Sequence, residues 1–148
     1  MSHVRQQCMA RITALVSGLP LAGTRVYQER LYPFGAAELP GRLVRYLSDT
    51  EIADSRRSLG APRIFTRTAM IEVVNVVQAT TGIDAELDDL CVEVEKALAM
   101  PVSGPWTSIT LKQTSIDFSA DGDQPCGEAR MAYEVQYAIS ENAPDVAL

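Results

Sequence analysis

Histidine is almost missing from this 148-residue chain, and His3 is its sole representative. One imidazole at the start of the sequence supplies no Ser-His-Asp or Cys-His pairing among well-ordered elements, and His3 itself reads as a terminal surface residue. Cysteine is sparse: Cys8, Cys91 and Cys126 are odd in number, far apart and without a C-x-x-C pair. That excludes a disulfide framework and the usual zinc spacing, and reduced thiols in a cytoplasm are expected. Cys8 and Cys91 fall on the apolar faces of helical patterns, where a free cysteine packs as a small hydrophobe. No run approaches the roughly 18 to 20 apolar residues of a membrane helix, with Arg5 and Arg11 interrupting the N-terminal stretch. That stretch also lacks the basic, apolar and small-residue succession of an export signal, so the chain is expected to stay in the compartment where it is made.

Catalytic strings are equally scarce. There is no G-x-S-x-G, G-x-x-x-x-G-K-[ST] or G-x-G-x-x-G, which removes the common signals for hydrolases, phosphate cradles and dinucleotide sites. Asp121 and Asp123 lack the spacing and terminal Glu of a calcium loop and read as a hairpin turn. Asp84, Glu86, Asp88 and Asp89 sit where a helix start favours negative charge, and no acid/base pair is assigned to them. No enzyme activity, metal or cofactor is expected.

What is present is an ordinary globular mixture, 47% hydrophobic and 22% charged, of a length that suits one domain. The net charge of −6 hides a division along the chain. Residues 1–67 hold ten arginines, no lysine and five acidic residues, whereas residues 68–148 hold three basic and fourteen acidic residues. Opposite halves of this kind either neutralise each other inside one subunit or orient head-to-tail contacts between subunits. Eleven arginines against two lysines add a second hint of contact surfaces, because the planar guanidinium tolerates desolvation and grips carboxylates bidentately.

Along the chain, Val4, Cys8, Ile12, Leu15, Val16 and Leu19 lay an apolar stripe on a helix from Val4 to about Ser17, with Ser2 as its cap and Gly18 and Pro20 as its stop. Arg25–Tyr32 reads as a strand stopped by Pro33, and Gly41–Leu47 as a short second strand. Residues 48–63 have little apolar periodicity and are expected to form a long polar loop, with Arg56 and Arg57 inside it, Arg63 at its end and Arg67 beyond it as candidate contact residues for a neighbouring subunit. Phe65–Val77 is apolar on both faces towards its C-terminal end and fits a central strand covered on both sides there. Gly82 opens a helix whose inner face is Ile83, Leu87, Leu90, Val94, Ala97 and Leu98, ended by Met100 and Pro101. Thr107–Ser119 changes phase near Gln113, as a bulge would require. Ala129, Met131, Tyr133, Val135, Tyr137 and Ile139 alternate on one face of the clearest strand, which should form an antiparallel hairpin with its predecessor. Residues 141–148 are expected to fray. The sum is an α+β domain, a mostly antiparallel sheet with two helices on one face.

Several strings resemble those of the tail terminator, or minor tail completion, proteins of long-tailed bacteriophages. They are Leu19–Tyr27 after the first helix, Arg30 with Tyr32-Pro33, Leu39-Pro40, the acidic helix Leu87–Leu98, and the closing pattern Asp121–Tyr137. The resemblance spans most of the chain except residues 48–63. It implies a homohexameric ring of a virion structural protein, assembled in the host cytoplasm, that caps the head-proximal end of a tail tube, stops polymerisation and presents a surface for head attachment. The implied partners are further copies of the chain, the tube protein and a head-tail connector or neck protein, with DNA only passing through an acidic lumen. A neck or connector subunit is the nearest alternative. A small-molecule-binding accessory domain, with a pocket between sheet and helices, is the alternative from another class. Arg56, Arg57, Arg63 and Arg67 are too few, and the chain too acidic, for a general nucleic-acid binder.

Overall fold

The structure is a computed structural model that describes residues 2–28, 38–55, 60–79, 81–119 and 125–148, with 52–55 described by their backbone alone. Its elements are α1 (Val4–Val16), β1 (Val26–Gln28), β2 (Gly41–Ser55), β3 (Ile64–Gln78), α2 (Ile83–Ala97), β4 (Ser108–Ser119), β5 (Cys126–Ser140) and β6 (Ala143–Ala147). One six-stranded sheet runs in the order β1-β2-β3-β5-β4, with β6 also paired to β5. Every pairing is antiparallel except β1 with β2. The α+β class, with a mostly antiparallel sheet under two helices, is therefore what the chain adopts.

The alternation read from the sequence becomes the inner face of the sheet. Ala129, Met131, Tyr133, Val135, Tyr137 and Ile139 are all buried, opposite Ala69, Ile71, Val73 and Val77 of β3. Leu87, Leu90, Cys91 and Val94 of α2 close one part of this face, and Val4, Cys8, Met9, Ile12 and Val16 of α1 close another. Val74 and Val76, on the opposite face of β3, are also buried, as the doubly apolar end of that strand requires. The phase change of β4 is a bulge between Leu111 and Gln113, beside Ala132 of β5.

Three expectations need correction. The strand expected over Gly41–Leu47 continues to Ser55, so residues 48–55 are ladder and not loop. Apolar periodicity is missing there because the helix-side positions, Asp49 and Glu51, carry charges that pair with Arg5 and Arg67, while Ser48 and Thr50 pair against Met70 and Thr68 on the other face. Of the expected loop, residues 60–63 lie between β2 and β3, and residues 56–59 lie outside the described residues. The tail does not fray either: β6 pairs along β5 where β4 has not yet begun, and Leu148 N–H donates to the Ala138 carbonyl. An edge strand with unused backbone groups captures such a segment despite its polar sequence. Finally, the cap of α1 is His3, whose Nδ1 accepts from Arg5 N–H at 3.2 Å, and not Ser2. The expected first strand is observed over residues 26–28; its remainder lies outside the described residues.

Candidate functional site: two charge networks and an uncovered edge

Among the described residues, Arg42 is the largest fully buried side chain. It faces the helices from β2, and each nitrogen of its guanidinium finds an acceptor: Nε donates to Asn75 Oδ1 at 2.7 Å, Nη1 to the Val16 carbonyl at 3.2 Å, and Nη2 to the Leu90 carbonyl at 3.0 Å and Glu93 Oε2 at 2.7 Å. A carbonyl at the C-terminal end of α1 is thus neutralised by a cation, which suits the dipole of that helix. Glu93 in turn accepts from Leu21 N–H through Oε1 at 2.7 Å, tying the turn after α1 to α2. One side chain therefore joins α1, α2, β2 and β3. A lone arginine in a weakly alternating stretch gives no local sign of burial.

A second network lies under the N-terminus of α1. Asp49 Oδ2 accepts from the Tyr137 hydroxyl at 2.8 Å and pairs with Arg5 at 3.3 Å and Arg67 at 3.8 Å. Arg67 also pairs with Glu51 at 2.9 Å, and its Nη1 lies 2.9 Å from His3 Nε2. His3 is consequently a fixed part of the fold rather than a free terminal residue, with its ring edge-on to Tyr137 at 6.4 Å. Both of its nitrogens face donors, whereas a neutral imidazole has one acceptor nitrogen. Burial, reinforced by Arg5 and Arg67, holds its pKa below the usual histidine value. Asp49 Oδ1, Arg67 Nε and the Tyr46 hydroxyl are buried without a hydrogen-bond partner among the described residues.

The four candidate contact arginines separate on this fold. Arg56 and Arg57 lie outside the described residues. Arg63 is exposed just before β3, its backbone exchanging hydrogen bonds with Glu141. Arg67 is committed to Asp49, Glu51 and His3 within its own chain. Among the described residues two ion pairs, Arg42–Glu93 and Arg45–Glu72, cross between the basic and acidic halves, so part of the charge division is neutralised internally.

The other notable surface is β4. Helix α2 packs on β3 and β5 and leaves the helix-side face of β4 largely bare. Ile116 and Phe118 there are 41% and 59% exposed, and Met100, by Ile109 and Leu111 at the other end of the strand, is 51% exposed. Two open concavities lie along this trough, one of about 340 Å³ by Ile83 and Phe118 and one of about 390 Å³ by Leu98, Met100 and Leu111. Close packing at its upper end needs Gly127, where a Cβ would lie 2.5 Å from Ile83 Cγ2. Among the described residues no cluster of His, Cys, Asp and Glu is arranged to hold a metal, and no helix is long and apolar enough to cross a membrane.

No family model matches the chain, and neither does any curated protein. Among solved structures it is similar to a chain of the virion of a native gene transfer agent particle, with a TM-score of 0.44 and 18% identity over 90% of this chain and 92% of that one.

Proposed function

We propose that this chain is a structural subunit of a phage-like virion and, within it, the tail terminator: a ring that ends the tail tube and carries the head-attachment surface. The strings that resemble tail terminators supply the identity. The single geometric observation that supports a ring is the state of the sheet edges. Among the described residues, β2 beyond Val44 pairs only with β3, and β4 pairs only with β5. These edges lie on opposite sides of the sheet. Two different free edges favour contacts that are head-to-tail, and such contacts close into a ring when the rotation per subunit divides the circle. The role is scaffolding and not catalysis, and Arg56 and Arg57, between β2 and β3, contact the neighbouring subunit or the tube.

The test is the mass of the purified protein by light scattering, followed by negative-stain microscopy with and without tail tubes. A species near six times the 16.1 kDa chain, or rings formed only on tube ends, is the expected result. A monomer that never adds to tubes overturns the reading. Replacing Arg56 and Arg57 together with Glu should weaken assembly while leaving the circular dichroism spectrum unchanged.

A further inference from the structure

We infer that the concavity of about 390 Å³ at the C-terminal end of α2 is a binding site for an aliphatic cation: an ammonium head on a short carbon stem, as carried by a lysine side chain of a partner or by a free alkylamine. The site is built within one subunit and does not depend on the ring reading.

The alternation of β5 turns Tyr133 inward, between Ile71 of β3 and Leu111 of β4, on the side of the sheet that α2 covers. Tyr133 is 3% exposed, and its hydroxyl is buried with no hydrogen-bond partner among the described residues. Tyr137, on the same face of the same strand, donates its hydroxyl to Asp49 Oδ2 at 2.8 Å. Cys91 and Glu95 are one helical turn apart on α2 and share a face of it. Burial first, then the Glu95 carboxylate and the Cys91 thiol, hold the Tyr133 hydroxyl above the usual tyrosine pKa, so it stays neutral and can both donate and accept. Cys91 Sγ already accepts from Asn75 Nδ2 at 3.8 Å. A buried hydroxyl without a partner costs the fold free energy that a phenylalanine would not.

Tyr133 lines the concavity with Glu95, Leu98, Met100, Ile109 and Leu111. The apolar side chains among them suit a carbon stem, and the volume falls in the lower part of the range of roughly 300–1,000 Å³ usual for small-ligand sites. Two features set the sign of the head. Glu95 is the charged residue of the lining, is exposed, and has no ion-pair partner among the described residues. Helix α2 also ends here, at Ala97 with Leu98 as its cap, and its last carbonyls carry the negative end of the helix dipole. Both repel an anion, and a purely apolar guest leaves the hydroxyl without a partner. An ammonium group offers one N–H to the Glu95 carboxylate and another to the Tyr133 oxygen, while its stem lies on Leu98, Ile109 and Leu111.

The probe is n-butylammonium, titrated into the full chain and followed by methyl NMR at Leu98, Met100, Ile109 and Leu111, with 1-butanol and butyrate as the neutral and anionic controls. Butylammonium should shift these methyls with a Kd of about 1 mM, and the controls should bind more weakly. Tyr133→Phe should weaken binding about tenfold and Glu95→Gln about threefold. Because the hydroxyl has no partner in the free protein, Tyr133→Phe should be at least as stable as the wild type in urea. Nα-acetyl-lysine N-methylamide separates the two sources: binding as tight as that of butylammonium assigns the site to a lysine side chain of a partner, and loss of binding assigns it to a free amine. Butanol or butyrate that binds as well as butylammonium, methyl shifts confined to other parts of the chain, or a Tyr133→Phe variant that binds as the wild type does would each overturn the site. So would a Tyr133→Phe variant of lowered stability, since the hydroxyl would then have its partner inside the chain. None of these outcomes bears on the ring, which is read by mass.

Discussion

Helix α1 is fastened at its C-terminal end by Arg42 and at its N-terminal end by the Asp49–Arg67–His3 network, and the two fastenings differ in how completely their atoms are paired. Around Arg42 the donors Nε, Nη1 and Nη2 all meet oxygen acceptors, inside the protein, across four elements. Around Asp49 one carboxylate oxygen serves three partners while the other has none among the described residues, and the imidazole of His3 meets donors on both sides. A buried network in which every nitrogen finds an acceptor fixes one arrangement of the elements it joins; a less completely satisfied one, closer to water, marks the place where that helix opens first.

The largest effect expected from this contrast belongs to Arg42→Met. Loss of the guanidinium leaves Glu93 and the Val16 and Leu90 carbonyls without their buried partner, and urea denaturation should show a loss of about 3–5 kcal/mol. Adding Glu93→Gln should recover part of that loss, because the uncompensated charge goes with it; a strictly additive double mutant would mean that the pair is not coupled. Asp49→Ala should cost less, about 1–3 kcal/mol, since Arg5 and Glu51 are partly in solvent and Arg67 keeps Glu51. Equal losses at the two sites would erase the distinction drawn between them.

A smaller effect is expected from acid. Because folding lowers the pKa of His3, the unfolded chain binds the proton more readily, and stability falls as pH falls from about 6.5 towards the lowered folded value. The contribution is fully present above that window. The groups facing the ring are Arg5 on α1, Asp49 and Glu51 on β2, Arg67 on β3 and Tyr137 on β5. Hydrogen exchange in the first turn of α1 should therefore accelerate between pH 7 and 5, and His3→Asn, which keeps a capping oxygen, should flatten that response. As the only histidine, its imidazole resonance reports the midpoint directly. An unshifted midpoint would remove the strain assigned to this end. Last, Cys8 lies on the buried face of α1 with its thiol pushed up to about 12 by burial and by Asp49, so alkylation at pH 8 should spare it while the partly exposed Cys126 reacts.

Much of the fold was legible because it is encoded by neighbours in sequence. The stripe of α1, the acidic opening of α2, the alternation of β5 and the phase slip at Leu111–Gln113 are all local periodicities. The candidate surfaces were legible only as a charge division, which named the two halves but not which sides would display them.

The sequence by itself determined two helices, the central strands and the single inner face, since burial of an amphipathic pattern follows from its period. Only the tertiary structure decided the rest. Residues 48–55 became strand where Arg5, Arg67 and Tyr137, distant in sequence, arrive to pair with Asp49 and Glu51. The tail became β6 because β5 offers it an unpaired edge. Arg42 went inside because four elements converge to bind its guanidinium, and β4 stayed bare because α2 settles over β3 and β5. In each case the deciding partner lies far along the chain, where no local pattern records it.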